Sequence, residues 1–497
     1  MIEAIPLLTL LLIAAPIGAV AIWIAPDPRR ARLIALITGV VILLLAIAVL
    51  IRFDSGNADF QLLEQHAWIP TLNINYLVGV DGISVLFLPL TAVLFIGVIL
   101  SSWTRIASMA PLYFSMLLLL ETATLGVFCA LDTVLFFFFW ELTLVPLYFL
   151  ISLWGVGPNR RYAAVKYTLF MLAGGVPLLF GFVLLAFNYA GLHDGALAFD
   201  LPSLLETPLS GPLGASVFFL LLAGFAVKTP IFPLHTWLPV VAQEGPASVA
   251  ALLVGLKLGA FGLIRFVVPL TPEAAQTFHW LLAGMGVIGI LYGGLLAMGQ
   301  TNLRRMLAYS SISHVGLVVL GIASFNVQGI QGALFHLLNF TVVAGGLFIL
   351  TGLLHHRIGS TDVLSLGGAA RSMPLLAAFF FLFGLASMGV PGTNGFPAEL
   401  LILISALKTH TGAGLAALTG IVIGAAYFLR LYRQVFFGPI KNAVVQQAMD
   451  LRPRERFIAV CFALIILFLG LYPASVLDLT EKSSTAWVER LSDSTKN

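Results

Sequence analysis

The sequence predicts an all-α polytopic membrane protein, and three observations carry that expectation. Of 497 residues, 60% are hydrophobic and only 9% are charged, against about 25% charged in a soluble globular chain. Apolar runs of about 20 residues, long enough to cross a ~30 Å hydrocarbon core, recur along the whole chain. The basic residues are also segregated. With the N-terminus outside, roughly seventeen of the 25 Lys and Arg fall in alternate loops, among them Arg29, Arg105, Arg160, Arg304, Arg371, Arg433 and Arg454. The other loops are acidic, as between Asp54 and Glu64 and between Asp194 and Glu206. The positive-inside rule then puts both termini on the outer side and calls for an even number of spans.

Taken in order, the apolar runs lie near 4–25, 33–52, 79–102, 111–130, 133–154, 166–188, 213–240, 247–268, 277–298, 306–323, 330–354, 374–408, 413–435 and 457–477, about fourteen in all. The first is expected to stay on the chain, because Glu3 stands where a signal peptide has basic residues and the run continues to about Ala25. The segments 53–78 and 189–212 contain Gly, Pro and Asn with alternating apolar residues, which suits short hairpins or loops. No separate soluble domain is expected. The runs at 213–240 and 374–408 are too long for one straight helix, and each holds a Pro/Gly break.

Those two breaks can be laid over one another. LLAGFAVKTPIFP at 221–233 matches LFGLASMGVPGTNGFP at 382–397, pairing Pro230 with Pro391 and Pro233 with Pro397. On the topology above, the first runs outside to inside and the second inside to outside. Opposed discontinuous helices are the pattern of inverted repeats that meet near the bilayer midplane; two unrelated proline kinks are the alternative.

Several function classes find no support. Cys129 and Cys461 lie far apart inside apolar runs and form neither a CxxC pair nor a cluster-ligand set. There is no P-loop and no GxGxxG after a strand, so no nucleotide site and no resident metal or cofactor is expected. The formal charge of +3 resides in short loops and does not point to nucleic acid.

The ionisable residues within the apolar runs are the candidates for chemistry, since each costs roughly 2.5–3.5 kcal/mol at mid-membrane depth. Lys228 precedes the first break and His235 lies inside it; Lys257 sits about half-way along the next run, too deep to reach an interface. Glu141 lies deep in FFFFWELTLVPLYFL. Placed beside Lys228, it favours the charged forms of both, so making and breaking that pair would switch Lys228 between holding and releasing a proton. In RRMLAYSSISHVG, His314 stands among Ser310, Ser311 and Ser313, hydroxyls that suit a proton wire. Glu399 is the only carboxylate in the second broken run, at a depth that suits an exit group. His336 and Asn339 in FHLLNF add polar contacts, and Glu121 is a further path candidate; Asp132 reads as a loop charge. His193, His279, His355 and His356 read as solvated surface.

FFFFWELTLVPLYFLISLWG, KTPIFPLHTWLP, LRRMLAYSSISHVG and GVPGTNGFPAEL together resemble the subunit M type of antiporter-like membrane subunits in respiratory complex I, over roughly residues 75 to 440. The related L, N and antiporter subunits carry Lys in the second broken helix where this chain has Glu399. The resemblance implies fourteen helices with two inverted five-helix repeats. Helices 1–3 would occupy residues 1–110, the repeats 111–270 and 271–440, and the last helix with a tail 441–497. It implies Glu141 and Lys228 as a coupling pair, Lys257 as central relay, His314 as bridge and Glu399 as terminal carboxylate. It further implies that NADH, flavin, iron–sulfur clusters and quinone bind a peripheral arm and other subunits, with L-like and N-like neighbours, in a bacterial inner membrane. The chain departs from the family where His followed by Gly is usual in the eleventh helix and Asn339-Phe340 stands here, with His336 almost one turn earlier. VVAQEGPAS after the first break departs as well.

The expected function is proton translocation within an NADH:quinone oxidoreductase. The alternatives are a subunit of a multisubunit cation/proton antiporter, and a membrane spacer without a working path.

Overall fold

The computed structural model describes residues 5–24 and 26–493; Glu3, Ala4 and Ala25, on which the reading of the first run rests in part, lie outside them. Among the described residues, eleven helices are long and apolar enough to cross a membrane, or twelve if the bent pair at the C-terminal end counts as one span. The chain is a multi-pass helical membrane protein.

Helix α1 (Leu7–Ile24) is followed by α2 (Pro28–Arg52), which is capped by Asp27 accepting hydrogen bonds from the backbone of Arg29 and Arg30. Segment 53–78 forms an antiparallel hairpin, β1 (Gln61–Ile69) with β2 (Ile74–Val80), in which Ile69 pairs with Ile74 and Gln61 with Val80. The third apolar run therefore starts as strand, and its helix α3 spans only Phe87–Ser102. After α4 (Ala110–Cys129), the fifth run is two helices, α5 (Thr133–Leu142) and α6 (Leu144–Trp154). They part at Thr143 because Pro146 lacks the N–H that the Leu142 carbonyl would take. Asp132 corrects the sequence reading. It is fully buried, caps α5 through the N–H groups of Val134 and Leu135, and accepts from Asn75 of β2. Burial raises its carboxyl above the ordinary range, and those three N–H donors oppose the rise.

The long α7 (Arg160–Leu192) and short α8 (Leu201–Glu206) lead to the first expected discontinuity. There α9 (Gly211–Lys228) ends and α10 (Trp237–Glu244) begins after the non-helical stretch 229–236. The next run was expected to be one helix with Lys257 inside it, and that is corrected. Helix α11 (Ala247–Gly255) stops, Leu256 and Lys257 leave helical geometry with ψ of 100° and 60°, and α12 (Leu258–Gly262) resumes. The freed carbonyl of Gly255 accepts from Thr341 Oγ1 at 3.2 Å, so the break is satisfied by a neighbouring helix. A π-helical turn, Leu263–Val267, precedes α13 (Val268–Leu270).

The second half continues with α14 (Pro272–Thr277), α15 (His279–Met298), α16 (Leu303–Ala323) and α17 (Val327–Asn339). A π-helical turn at Phe340–Ala344 joins α17 to α18 (Gly345–Ile358). Helix α19 (Ala369–Ser372) precedes the second discontinuity, where α20 (Pro374–Ser387) and α21 (Gly395–Thr409) are separated by residues 388–394. Then come α22 (Thr411–Phe436), α23 (Ala443–Gln447) and α24 (Pro453–Leu471). In place of the expected tail is a further helix, α25 (Ala474–Asp493), bent 66° from α24. It is held by Trp487 Nε1 donating to the Ile264 carbonyl at 2.8 Å and by Gln331 Nε2 donating to the Leu477 carbonyl at 3.0 Å.

Burial identifies the centre. The apolar stretches of Ala247–Leu270, Leu303–Ala323 and Val327–Ile358 are 94%, 89% and 94% buried, whereas those of α2 and α22 are 33% and 28%. Lys257, His314 and His336 thus lie on the innermost elements.

Candidate functional site

The first discontinuity holds Lys228 at the last turn of α9, almost wholly buried. Its Nζ donates to Thr143 Oγ1 at 2.8 Å and to the Trp140 carbonyl at 3.1 Å, and it lies 3.9 Å from the Trp140 ring centre. The split between α5 and α6 puts these acceptors at its ammonium group. Glu141 is half-buried and outside ion-pair range of Lys228. Its carboxylate instead lies against Gly175 of α7, where any side chain would collide with Oε1. The two charges act on one another without touching, and Trp140 and Thr143 take the direct contacts of the lysine. A cavity of about 30 Å³ is lined by Lys228, Thr143, Thr124, Leu256 and Leu258, so it adjoins both residues flanking Lys257. That space admits a water beside Lys228, on the side of the α11–α12 break.

Lys257 Nζ donates to Ser311 Oγ at 2.7 Å and lies 5.0 Å from the Phe340 ring centre. Ser311 stands one helical turn before His314 on α16. The neighbouring serines are engaged elsewhere: Ser310 accepts from Tyr427 OH at 2.7 Å, and Ser313 donates to the Ile290 carbonyl at 2.8 Å, a packing contact with α15.

His314 gathers the second group. Its Nε2 lies 3.3 Å from Ser387 Oγ at the end of α20, and its Nδ1 lies 3.6 Å from Glu399 Oε1 on α21. His336, one turn before Asn339 on α17, joins this group. Its ring centre is 5.4 Å from that of His314 and 5.4 Å from that of Phe340, and neither ring nitrogen has a protein partner. Asn339 donates from Nδ2 to the Asn394 carbonyl at 2.8 Å, tying α17 to the second discontinuity. Glu399 is buried against Gly389, whose φ of +63° and lack of a Cβ leave room for the carboxylate. Small cavities adjoin the group, one of about 30 Å³ lined by His314, His336, Asn339 and Ser387, and one of about 10 Å³ lined by His314, Ser387, Glu399 and Tyr427.

Two candidates stand apart from these contacts. Glu121 is fully buried in α4, and neither carboxylate oxygen has a hydrogen-bond partner. His235, in the first discontinuity, packs its ring 5.7 Å from Phe232 and 5.2 Å from Tyr292.

The sequence reading missed Trp140, Thr143 and Ser387, whose hydroxyl or carbonyl groups only become relevant once three helices meet. It also passed over a cavity of about 360 Å³ lined by Ser102, Arg105, Ser248, His355 and His356. His355 is thus corrected from open surface to cavity wall. Tyr113 OH joins Ser102 Oγ at 3.0 Å to Ser248 Oγ at 2.8 Å, leading from that cavity to the start of α11. Burial pulls the Arg105 guanidinium below its ordinary range.

Residues 130–424 match the family described as NADH:quinone oxidoreductase/Mrp antiporter, TM. The chain is 37% identical over 459 residues to NADH-quinone oxidoreductase subunit M of Rickettsia conorii, covering 92% of each. It superposes on a chain of respiratory complex I from Thermus thermophilus with a TM-score of 0.89 at 29% identity, over 97% of this chain and 99% of that one. A chain of the Mrp complex from Dietzia sp. shares the fold, with a TM-score of 0.85 at 21% identity over 98% of both.

Proposed function

Because this chain belongs to the NADH:quinone oxidoreductase/Mrp antiporter family, as a subunit M-like member, we propose that it moves protons across the membrane along a line from Glu141 through Lys228, Lys257 and His314 to Glu399. The observation that carries this reading is Lys257: a buried lysine at a helix break, hydrogen-bonded to Ser311 one turn from His314. Hydroxyl and imidazole groups in that order, with water-sized cavities on both sides, suit stepwise proton transfer.

In this reading, protons are taken up at the basic face through the cavity beside Arg105 and His355 and the Tyr113–Ser248 hydroxyls. Lys228 holds its proton against Thr143 and Trp140 while Glu141 stands apart, and the return of Glu141 changes the field that Lys228 exerts on Lys257. Protons leave past His314, His336 and Ser387 to Glu399. Chemistry in other subunits supplies the free energy. NADH, flavin, iron–sulfur clusters and quinone belong to a peripheral arm and partner membrane subunits, with L-like and N-like neighbours. The chain would cross a bacterial cytoplasmic membrane fourteen times, the shorter apolar helices α3 and α20 included, with both termini outside. Helices from 111–270 and 271–440 would form the two inverted repeats, after the three helices of 1–110 and before the last helix of 441–497. The presence of a discontinuity in each half, after Lys228 and after Ser387, supports that pairing.

Two substitutions test the coupling pair. Glu141→Ala and Lys228→Ala, each in the assembled complex in sealed vesicles, are expected to lose most electron-driven proton uptake; wild-type pumping in both would contradict the reading. Co-purification separates the antiporter alternative, since an all-membrane complex without flavin or iron–sulfur subunits would favour it.

A further inference from the structure

His314, His336 and Glu399 come together as a set of donors that proton transfer alone does not require. One ligand atom from each lies within 4.8 Å of the other two. Nδ1 of His314 and Oε1 of Glu399 are already 3.6 Å apart. His336 is 95% buried, and both of its ring nitrogens lack a protein partner. An imidazole so enclosed with neither nitrogen hydrogen-bonded is uncommon, since buried polar atoms ordinarily find partners. In a tetrahedral zinc site, bonds of about 2.0–2.1 Å set neighbouring donor atoms about 3.3 Å apart. The three donors therefore need to close by no more than about 1.5 Å, within the reach of side-chain rotations on three separate helices.

We propose that His314, His336 and Glu399 bind one transition-metal dication of the zinc class, with two imidazoles, one carboxylate and an open fourth position for water. Two histidines and a carboxylate suit a borderline-soft dication and not Mg²⁺ or Ca²⁺, which take oxygen donors. Small cavities adjoin the donors, one of about 30 Å³ lined by His314 and His336 and one of about 10 Å³ lined by His314 and Glu399, so the cluster has room beside it for an ion and a water. Asn339 holds α17 to the Asn394 carbonyl and so keeps His336 facing the gap. Given the proposed proton line, a bound dication occupies the donors that pass protons from Lys257 toward Glu399, and it halts pumping.

The test uses the intact complex purified free of added metal. Wild type, His336→Ala, His336→Gln and Glu399→Gln complexes are equilibrated with Zn²⁺ and dialysed, and metal is counted by atomic spectrometry. Co²⁺ is used in parallel for its visible absorption, which is intense when four-coordinate. Wild type is expected to retain one more ion per complex than each variant, and to show the four-coordinate Co²⁺ band that the variants lack. Equal retention in wild type and both His336 variants, all of them assembled and absorbing alike, would overturn the site. Thermal stability of wild type should also rise with Zn²⁺ while that of the His336 variants should not; no difference between them counts against it. Proton uptake is read separately. Zn²⁺ bound at the site with undiminished pumping would keep the metal site and overturn the exit route through His314 and Glu399.

Discussion

Lys257 sits where the helix carrying it lets go of its own backbone, and that placement changes what the side chain can do. At a break it has two non-helical residues of freedom, an acceptor in Ser311 and the ring of Phe340 beside it. His336 is the other residue whose meaning depends on three dimensions. A histidine one turn out of register reads as misdirected in sequence, yet its ring lies against His314. On the proposed route His336 passes the proton, while Asn339 holds α17 to the Asn394 carbonyl. Accordingly, Asn339→His is expected to leave the proton-to-electron ratio unchanged, and His336→Ala is expected to lower it at least severalfold in vesicles. A gain of pumping on Asn339→His would mean that the native route is interrupted there.

At the scale of elements, the two proline-marked discontinuities were legible because Pro, Gly and a polar residue inside an apolar run each carry a physical cost. The breaks at Thr143 and at Leu256–Lys257 were harder to read. The first follows from Pro146, three residues on. The second has no local signature, because the hydroxyl that satisfies it, Thr341, comes from 86 residues away. The helix α25 was also missed, since it is amphipathic and its buried face is defined only by partners such as Ile264 and Leu477. Glycines, by contrast, carry a clear packing message. A Cβ on Gly224 of α9 would stand 2.7 Å from Leu178 Cβ and 2.9 Å from the Gly174 carbonyl on α7. Gly224→Leu is expected to pry α9 from α7, destabilise the subunit by about 1–3 kcal/mol or more, and displace Lys228 from Thr143. Thermal melting of the detergent-solubilised complex, read against Gly224→Ala as the milder change, measures it.

Across the whole molecule, the chemistry depends on a frame that the ion pairs hold. Arg265, in the π-helical turn beyond Lys257, binds Asp81 through two contacts of 2.5 and 2.6 Å, with both residues about 95% buried. Asp81 follows β2 and accepts from the backbone of Ile83 and Ser84, so one carboxylate joins the hairpin, α3 and the lysine-bearing helix. On the opposite face, Arg357 binds Glu455 and ties α18 to α24. Removing one partner of such a pair leaves a buried charge alone, at about 3–5 kcal/mol, whereas replacing both with apolar residues is often neutral. Asp81→Leu is expected to abolish assembly, and Asp81→Leu with Arg265→Leu to recover much of it, as read by native gel and melting temperature. Equal loss in the single and double variants would assign the pair a role beyond holding the frame.

The most direct measurement is the proton-to-electron ratio of the assembled complex in sealed vesicles with Lys257→Ala against wild type. Electron transfer is followed by donor oxidation and proton uptake by a pH-sensitive dye. The expected result is intact assembly with a lower ratio, and a smaller deficit in Lys257→Arg, which keeps the charge. An unchanged ratio in Lys257→Ala would contradict a proton route through the break in this helix.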